Sequence, residues 1–180
     1  LMGILAADMP LPAADYRAGE RTFQLLTQAA GRAGRGSRPG EVVIQTYQPE
    51  HYSIVHAAAQ DYEGFYEEEI LYRRLLSYPP AAHILAVQIG AREEAAGLAL
   101  AKRLSRLAAD LPEGSLLIGP APASIGRIND VFRFVIYIKS PDYGVLIRIK
   151  DRMEKKLKEQ EDRDGKGKTV QFDFDPMNPF

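Results

Sequence analysis

The chain has 180 residues, 46% of them hydrophobic, and a formal net charge of −1 at pH 7. This length allows one domain, or part of a domain followed by a small one, and this apolar content is enough to build packed cores. The absence of cysteine excludes disulfides and cysteine-ligated zinc. No stretch approaches the roughly 20 apolar residues that a membrane-spanning helix needs, so we expect no membrane partner and a cytoplasmic location.

The net charge conceals two regions of opposite sign. Residues 49–80 contain six acidic residues and two arginines, whereas residues 127–158 contain nine lysines and arginines against four acidic residues. The second region therefore has a local excess of five positive charges, which is typical either of a solvated surface or of one that binds an anionic partner. The three histidines show no ligand spacing with an acidic residue, so we expect no metal site.

The first 48 residues predict a β-α-β succession. Residues 1–7 predict a buried strand that ends at Asp8, residues 19–30 a helix, and residues 41–47 a second strand. Such strands are parallel in one sheet, and three elements are too few to cover both faces of it, so we expect part of a larger lobe. Asp8 is either an acid that accepts a turn hydrogen bond or a functional residue at the end of the strand.

A glycine- and arginine-rich motif, Q-A-A-G-R-A-G-R, follows the predicted helix and begins at Gln28. Gly31 and Gly34 allow another surface to approach the backbone closely. Arg32 and Arg35 point the same way if the segment is helical, and paired guanidiniums suit the charge that develops in phosphoryl transfer. Such runs also occur in flexible RNA-binding tails and in ordinary turns, but here the run lies between an apolar segment and a strand, which indicates order.

The acidic middle of the chain predicts two helices, at residues 50–60 and 61–76. In the second, Tyr62, Phe65 and Tyr66 fall at three- and four-residue spacing, which indicates an amphipathic helix. This aromatic stripe predicts packing onto a core, with base stacking as the alternative. The sequence Tyr78-Pro79-Pro80 then ends the helix, because a residue before proline disfavours the helical region.

The last hundred residues predict a β-α-β-β-α-β succession. The predicted strands and helices are residues 84–91 (strand), 93–109 (helix), 116–118 (a short run leading into a proline-rich turn), 133–138 (strand), 145–158 (helix) and 169–174 (strand). Residues 159–168 predict a charged loop. Two split β-α-β halves predict a ferredoxin-like open sandwich.

The second helix of this region is predicted to have a basic side. Its cations Arg148, Arg152 and Lys155 fall opposite its apolar positions. They form either a solvated face or a binding surface for phosphates or an acidic peptide, with Arg133 as a further contributor.

Several motifs together resemble one known family. The glycine- and arginine-rich motif is similar to the last motif of superfamily-two helicases. The run D-Y-R-A-G-E-R-T-F-Q-L-L-T-Q-A-A-G-R-A-G-R-G, then P-G-E-V-V-I-Q-T-Y-Q-P-E-H-Y, G-P-A-P-A and F-D-F-D-P, resembles the C-terminal part of the primosomal protein N′ (PriA) family over the whole chain. The resemblance implies part of a RecA-like helicase lobe over residues 1–48, a helical connector over 49–80, and a ribosomal-protein-like domain over 81–180.

The resemblance also implies a function, that of an ATP-dependent 3′–5′ DNA helicase in bacterial replication restart at stalled forks. Gln28, Arg32 and Arg35 would face ATP, with Gly31 and Gly34 beside them, and Asp8 would couple that site to DNA. ATP and Mg²⁺ would be cofactors, and the family's zinc would lie outside this chain. The implied partners are forked and single-stranded DNA, the C-terminal tail of single-stranded-DNA-binding protein, and other primosome proteins.

Two features needed for ATP hydrolysis are missing from the sequence. It has neither a G-x-x-x-x-G-K-[ST] phosphate loop nor an Asp-Glu pair for Mg²⁺, and it opens inside a strand. We therefore expect a piece of a longer polypeptide that is inactive alone, because the groups that position ATP come from both sides of a cleft. The alternatives are a non-enzymatic nucleic-acid or protein adaptor and, from the residues up to Arg35, an RNA helicase.

Overall fold

The structure is a computed structural model that describes residues 1–11, 15–33, 40–159 and 167–177. Gly34 and Arg35 lie outside the described residues, as does most of the predicted loop at 159–168. The chain divides into two compact units, Leu1–Leu75 and Leu76–Phe180. The three-part division drawn from the sequence stays a prediction.

The first unit is a β-α-β succession followed by two helices. Its elements are β1 (Met2–Ile4), α1 (Ala18–Ala33), β2 (Val42–Ile44), α2 (Tyr52–Ala59) and α3 (Tyr62–Leu75). Strands β1 and β2 are parallel, as predicted, with Gly3 paired to Val43. Strand β1 is shorter than its apolar run because Ala6 adopts a positive φ of 51°, which interrupts extended backbone.

Aromatic packing forms the core of this unit. The Phe23 and Phe65 rings stack with their centroids 4.1 Å apart, and Tyr52 stacks on Phe65 at 5.9 Å. Ala7, Leu26, Ile54 and Ala57 complete the buried cluster. The predicted packing of the aromatic stripe is correct for Phe65. Tyr62 contacts the core only at its edge, with its ring centroid 6.2 Å from that of Phe23, and Tyr62 and Tyr66 are 66% and 52% exposed. Tyr62 lies three residues before Phe65 and Tyr66 one residue after it, so both flank the buried position, and spacing alone did not show how much of each ring the core covers.

The second unit consists of four strands and two helices. Its elements are β3 (His83–Ala91), α4 (Glu94–Leu107), β4 (Leu116–Ile128), β5 (Val131–Ser140), α5 (Tyr143–Lys158) and β6 (Lys168–Phe174). The strands form one sheet in the order β4-β5-β3-β6, and every neighbouring pair is antiparallel. The predicted β-α-β-β-α-β succession is thus confirmed, with the two central strands contributed by different halves.

Side-chain alternation determines which sheet face is the core. Alternate residues of the central strands, Leu85, Val87, Ile89, Phe134, Ile136 and Ile138, pack against the apolar sides of α4 and α5. The helices contribute Leu104, Leu146 and Met153, all fully buried. Burying each such side chain stabilises the fold by about 1.5–3 kcal/mol. The residues between them in sequence therefore lie on the other face of the sheet.

Strand β4 corrects the sequence prediction. The predicted proline-rich turn after Ile118 is wrong, because the strand continues through Pro120 and Pro122 to Ile128. The strand tolerates prolines since it lies at the edge of the sheet, where a missing N–H costs no ladder hydrogen bond. Its register shifts between Ile118 and Ala121 and again after Pro122 absorb the irregular backbone.

Within the parts of the chain that the structure describes, no helix is long and apolar enough to cross a membrane.

Core packing in the second unit predicts that two neighbouring residues of α5 differ in how much they contribute to the free energy of unfolding. We expect Leu146→Ala to lower the free energy of unfolding by about 2–5 kcal/mol, because it leaves a cavity in the core. Ile147→Ala is the matched control, since Ile147 is 41% exposed and should cost far less. Urea denaturation of the 180-residue chain, followed by circular dichroism, measures both. Equal losses in the two variants would contradict the observed orientation of α5.

Candidate functional site

The sequence-predicted site residues fall into two groups that lie in different units. Asp8, Gln28, Gly31 and Arg32 belong to the first unit, and Arg133, Arg148, Arg152 and Lys155 belong to the second. Each group has its own local geometry.

Gln28 and Arg32 lie on the exposed side of α1. They are four residues apart, so they share one helix face, whereas Thr22, Phe23 and Leu26 form the buried face. A Cβ added at Gly31 would meet no atom within 4 Å, so this side of the helix is open. Among the residues that the structure describes, no carboxylate lies within ion-pair distance of the Arg32 guanidinium. The open stripe of α1 that carries Gln28 and Arg32 can therefore receive an anion without breaking an internal ion pair.

The other half of the motif is not part of this geometry. Gly34 and Arg35 follow the end of α1 at Ala33 and lie outside the described residues. Whether Arg32 and Arg35 point the same way stays a prediction.

Asp8 is buried at the end of the first strand's pairing region. Its Oδ1 accepts a hydrogen bond from the backbone N–H of Tyr47 at 3.3 Å, and its carbonyl oxygen accepts one from Leu11 at 3.0 Å. The backbone N–H of Ala7 also bonds to Gln45 across the pair. Asp8 thus joins the segments that follow β1 and β2 through its carboxylate, and only its backbone carbonyl forms a turn hydrogen bond. Its functional role stays a prediction.

A polar cluster with a buried centre, not anticipated from the sequence, joins the three helices of the first unit. We call it the Arg73 network, and it consists of Glu20, Tyr52, Glu69 and Arg73. Arg73 donates from Nε to Glu69 Oε1 at 2.6 Å and from Nη2 to Glu20 Oε2 at 2.8 Å. The hydroxyl of Tyr52 donates to the second oxygen of Glu69 at 2.6 Å. The network therefore connects the first turn of α1, the start of α2 and the last turns of α3.

Burial makes this network electrostatically strong. Glu69 and Arg73 are each only 7% exposed. Burial, together with the hydrogen bond to Glu69, raises the pKa of Tyr52 well above its usual value. For Arg73, burial acts to lower the pKa, but the hydrogen bond and the charge of Glu69, with Glu20, outweigh it and the net shift is upward. The charged form of Arg73 and the neutral form of Tyr52 are therefore the stable ones.

The residues before α1 extend the same arrangement. The Arg73 guanidinium lies 5.2 Å from the centroid of the Tyr16 ring, within cation–π range. Asp15 forms an ion pair with Arg21 at 2.9 Å and accepts the backbone N–H of Arg17 at 3.0 Å. A Cβ added at Gly19 would collide with the hydroxyl of Tyr52, so the network requires glycine there.

The sequence did contain a signal for this network. Phe65, Glu69 and Arg73 are spaced four residues apart, so they share one stripe of α3, and all three are buried. Charged residues in register with a core aromatic predict a buried ion pair. From the sequence, Arg73 was counted only as one of the two arginines in residues 49–80 and was not paired with an acid.

The predicted basic side of α5 is exposed, but its cations differ in their contacts. Arg148 is exposed and lies 3.6 Å from the Asp142 carboxylate, also exposed. Arg152 donates from Nη1 to the carbonyl oxygen of Leu107, at the end of α4, at 3.0 Å. Lys155 is exposed on the same side of the helix. The buried side carries Val145, Leu146, Ile149 and Met153.

Arg133 does not share that surface. It lies on β5 between Phe132 and Phe134, which both pack against the core under the helices. Alternation along the strand therefore places Arg133 on the opposite face of the sheet from α5. The structure brings Arg148, Arg152 and Lys155 together and separates Arg133 from them.

Lys139 shows that the local excess of positive charge overstates the accessible charge. Its side chain is buried, its Nζ donates to the carbonyl oxygen of Leu76 at 2.8 Å, and it lies 3.5 Å from the centroid of the Tyr78 ring. Burial lowers the pKa of this lysine. Lys139 therefore anchors the segment that enters the second unit and is not available to a ligand.

Two of the three histidines pair with acids in the structure, and His51 bonds to Ser53 at the start of α2. His56 lies between Asp61 and Glu68 at 3.1 and 3.3 Å, and His83 lies 3.1 Å from Asp175. In the described ranges, no group of three or more histidine and acidic side chains is arranged to hold a metal ion.

Comparison with known proteins gives a consistent result. The family model described as "Primosomal protein N C-terminal domain" matches residues 74–177. The chain is 39% identical over 181 residues to the replication restart protein PriA of Bacillus subtilis, covering 100% of the chain and 22% of that protein. It is 40% identical over 158 residues to the protein of the same name from Synechocystis, covering 86% and 19%, and 34% identical over 180 residues to that from Treponema pallidum, covering 99% and 26%. The chain thus spans about a fifth to a quarter of the length of these relatives.

Similarity to solved structures is low. A de novo designed protein, Foldit4, covers 52% of the chain with a TM-score of 0.40 and 13% identity, a level that supports no argument.

The Arg73 network predicts a large difference between adjacent arginines. We expect Arg73→Met to destabilise the first unit by about 3–5 kcal/mol, because it leaves the buried Glu69 carboxylate without a cation. Arg74→Met is the matched control, since Arg74 is exposed and its loss should stay within about 0.5 kcal/mol. Hydrogen exchange of the α1 and α3 amides in the 180-residue chain measures both. Similar exchange in the two variants would show that the network contributes little.

Proposed function

This chain belongs to the primosomal protein N C-terminal domain family, and we propose that it is part of a DNA helicase that acts in replication restart. The proposal is supported by 33–40% identity to relatives named replication restart protein PriA, in several cases over nearly the whole chain. The chain spans about a fifth of the length of those relatives, so we propose that it contributes some of the residues that the helicase activity needs.

The observation that carries the catalytic part of the proposal is the open stripe of Gln28 and Arg32 on α1. An exposed guanidinium without a described carboxylate partner fits a phosphate group presented by another part of the protein. In the transition state of phosphoryl transfer, charge spreads over the γ-phosphate oxygens, and an arginine placed there stabilises it. Bound ATP with Mg²⁺ would supply the reacting phosphate, held mainly by residues outside this chain. Arg35, with Gly34, is proposed to take part beside Arg32.

Asp8 has a more indirect role in this proposal. Because its carboxylate is bonded to the Tyr47 N–H, we propose that it transmits changes between the segments after β1 and β2 instead of contacting nucleotide. The side chain of Tyr47, the same residue whose N–H bonds to Asp8, is exposed and offers a surface for nucleic acid. Zinc binding is assigned to parts of the protein outside this chain.

The basic side of α5 supports a second part of the proposal. Arg148, Arg152 and Lys155 are exposed on a helix whose opposite side is fixed in the core, so they form a preorganised cationic surface. Such a surface fits DNA phosphates or the acidic C-terminal tail of single-stranded-DNA-binding protein. Forked DNA and other primosome proteins are further proposed partners of the complete protein.

A non-enzymatic adaptor is the second candidate function. The second unit has its own core and its own cationic helix, so it could bind an anionic partner without ATP. The catalytic experiment below separates the two, because an adaptor has no ATP turnover to lose.

In the complete helicase, we expect Arg32→Ala to lower the ATP turnover number by about 10³–10⁵-fold, the contribution typical of an arginine finger. ATP affinity should change little, because the arginine meets charge that develops in the transition state. Steady-state phosphate release and titration with a fluorescent ATP analogue measure the two quantities. Arg74→Ala is the control, and unchanged turnover in Arg32→Ala would rule out the catalytic role.

For the basic helix, we expect the double variant Arg148→Ala with Arg152→Ala to weaken binding of a labelled single-stranded oligonucleotide. Affinity of the unmodified chain should fall with salt with a log–log slope of about −0.7 per phosphate contact, and the variant should have a shallower slope. Arg133→Ala is the informative comparison, since Arg133 lies on the other sheet face and its loss should have a smaller effect. Equal weakening by Arg133→Ala would place the nucleic acid on that face instead. An acidic peptide, titrated in parallel, should have a shallower slope because it carries no condensed counterion layer.

A further inference from the structure

We propose that Glu20, Glu69 and Arg73 are positioning residues for ATP hydrolysis: they hold α1 at a fixed rotation and so place Gln28 and Arg32 opposite the γ-phosphate. This inference rests on the proposed function. It makes α3, which the sequence assigned to a connector, part of the hydrolytic machinery.

Arg73 bridges two helices with two different nitrogens. Its Nε bonds to Glu69 on its own helix, and its Nη2 bonds to Glu20 in the first turn of α1. The Glu69 bond fixes the plane of the guanidinium, and that plane directs Nη2 at α1. A lysine has one ammonium group on a flexible stem and could not hold both carboxylates in this fork geometry.

The hydrogen bonds of the Arg73 network depend on direction, whereas the apolar contacts of the surrounding core do not. Phe23 and Leu26 hold α1 by apolar contact, which is proportional to area and tolerates small rotations. Bonds of 2.6 and 2.8 Å between charged groups weaken quickly when their geometry changes. Glu69 is in turn fixed by the Tyr52 hydroxyl, and Gly19 leaves the space which that hydroxyl needs. The rotation of α1 is therefore set at its first turn by these bonds.

The helix carries a rotation at Glu20 along to the predicted catalytic residues. At 1.5 Å per residue, Gln28 and Arg32 lie about 12 and 18 Å along α1 from Glu20. A rotation of the helix by about 10° moves a side-chain tip about 6 Å from the axis by about 1 Å. A misplacement of about 1 Å at a reacting centre can cost about 10²-fold in rate. A modest loss of restraint at Glu20 is thus large enough to affect catalysis by Arg32.

Glu20→Ala is the appropriate test variant. It removes the ion pair between α3 and α1 but leaves the buried pair of Arg73 and Glu69 and the Phe23–Phe65 stack intact, so folding should be preserved. Gln24→Ala is the matched control on the same helix, since Gln24 is exposed and its bond at 3.2 Å goes to Glu20 Oε1, whereas Arg73 binds Glu20 Oε2. Glu20→Gln is the conservative variant, because an amide oxygen can still accept the bond from Nη2.

The experiment is a double-mutant cycle between Glu20→Ala and Arg32→Ala in the complete helicase, with the turnover number and KM for ATP as readouts. We expect Glu20→Ala alone to lower turnover by about tenfold or more with KM changed by less than about twofold. We expect Gln24→Ala to leave turnover unchanged and Glu20→Gln to restore most of it. In the Arg32→Ala background, Glu20→Ala should cause no further loss, because a positioning residue acts only through the group it positions.

The contrary results are distinct. Normal turnover in Glu20→Ala, beside a large loss in Arg32→Ala, overturns the positioning role and leaves the proposed function intact. Multiplicative losses in the double variant also overturn it, since Glu20 would then act independently of Arg32. A loss that matches the unfolded fraction at the assay temperature, measured by circular dichroism, shows a merely structural role. Normal turnover in Arg32→Ala contradicts the proposed function itself, and the inference falls with it.

Discussion

The buried guanidinium of Arg73, held between the buried carboxylate of Glu69 and the partly exposed carboxylate of Glu20, is the interaction on which the arrangement of the first unit depends. Apolar contacts among Phe23, Phe65 and Tyr52 supply most of the packing, but they do not define one orientation of the helices. The polar bonds do, because each has a preferred distance and direction. Breaking such a pair is costly, while its net contribution to stability is often small. A buried network of this kind is therefore better explained by the geometry it imposes than by the stability it adds.

In the second unit, the alternation of side chains along the strands separates the charges. Helices α4 and α5 cover one sheet face, and the cations of α5 lie on the outer side of that layer. Arg133 and Lys139 lie on the other face, one partly exposed and one buried beneath Tyr78. The cations that lie near one another in sequence therefore occupy three environments: the exposed side of α5, the partly exposed position of Arg133 and the buried position of Lys139. Only the group on α5 forms a shared, accessible surface.

Much of this fold could be predicted because its elements have strong periodicity. The helices and the strands of the second unit follow their apolar patterns closely, and the order of elements identified the sheet. Strand β4 could not be predicted, since proline disfavours strands except at an edge, and edge position is a property of the whole sheet. The exposure of Tyr62 and Tyr66 was missed for a related reason, because spacing shows which residues neighbour one another on a helix but not how far the rest of the fold covers them.

The candidate site was predicted unevenly. Gln28 and Arg32 were proposed from motif chemistry and stay a prediction, and the structure adds that their side of α1 is open. The Arg73 network was missed because its two halves are 53 residues apart in sequence, and only the tertiary fold brings Glu20 to Arg73. Arg133 was grouped with the α5 cations by nearness in sequence, whereas strand alternation places it on the other face. Local spacing is thus informative within one helix and fails across elements.

The central claim is that Arg32 stabilises the transition state of ATP hydrolysis, and its most direct test is the affinity of the complete helicase for a transition-state analogue. ADP with aluminium fluoride resembles the transferring phosphoryl group, whereas ADP alone does not. We predict that Arg32→Ala loses most of the extra affinity for the analogue while its affinity for ADP is unchanged, since transition-state groups act on developing charge. An equal loss of affinity for both ligands, or no loss for either, would contradict the account.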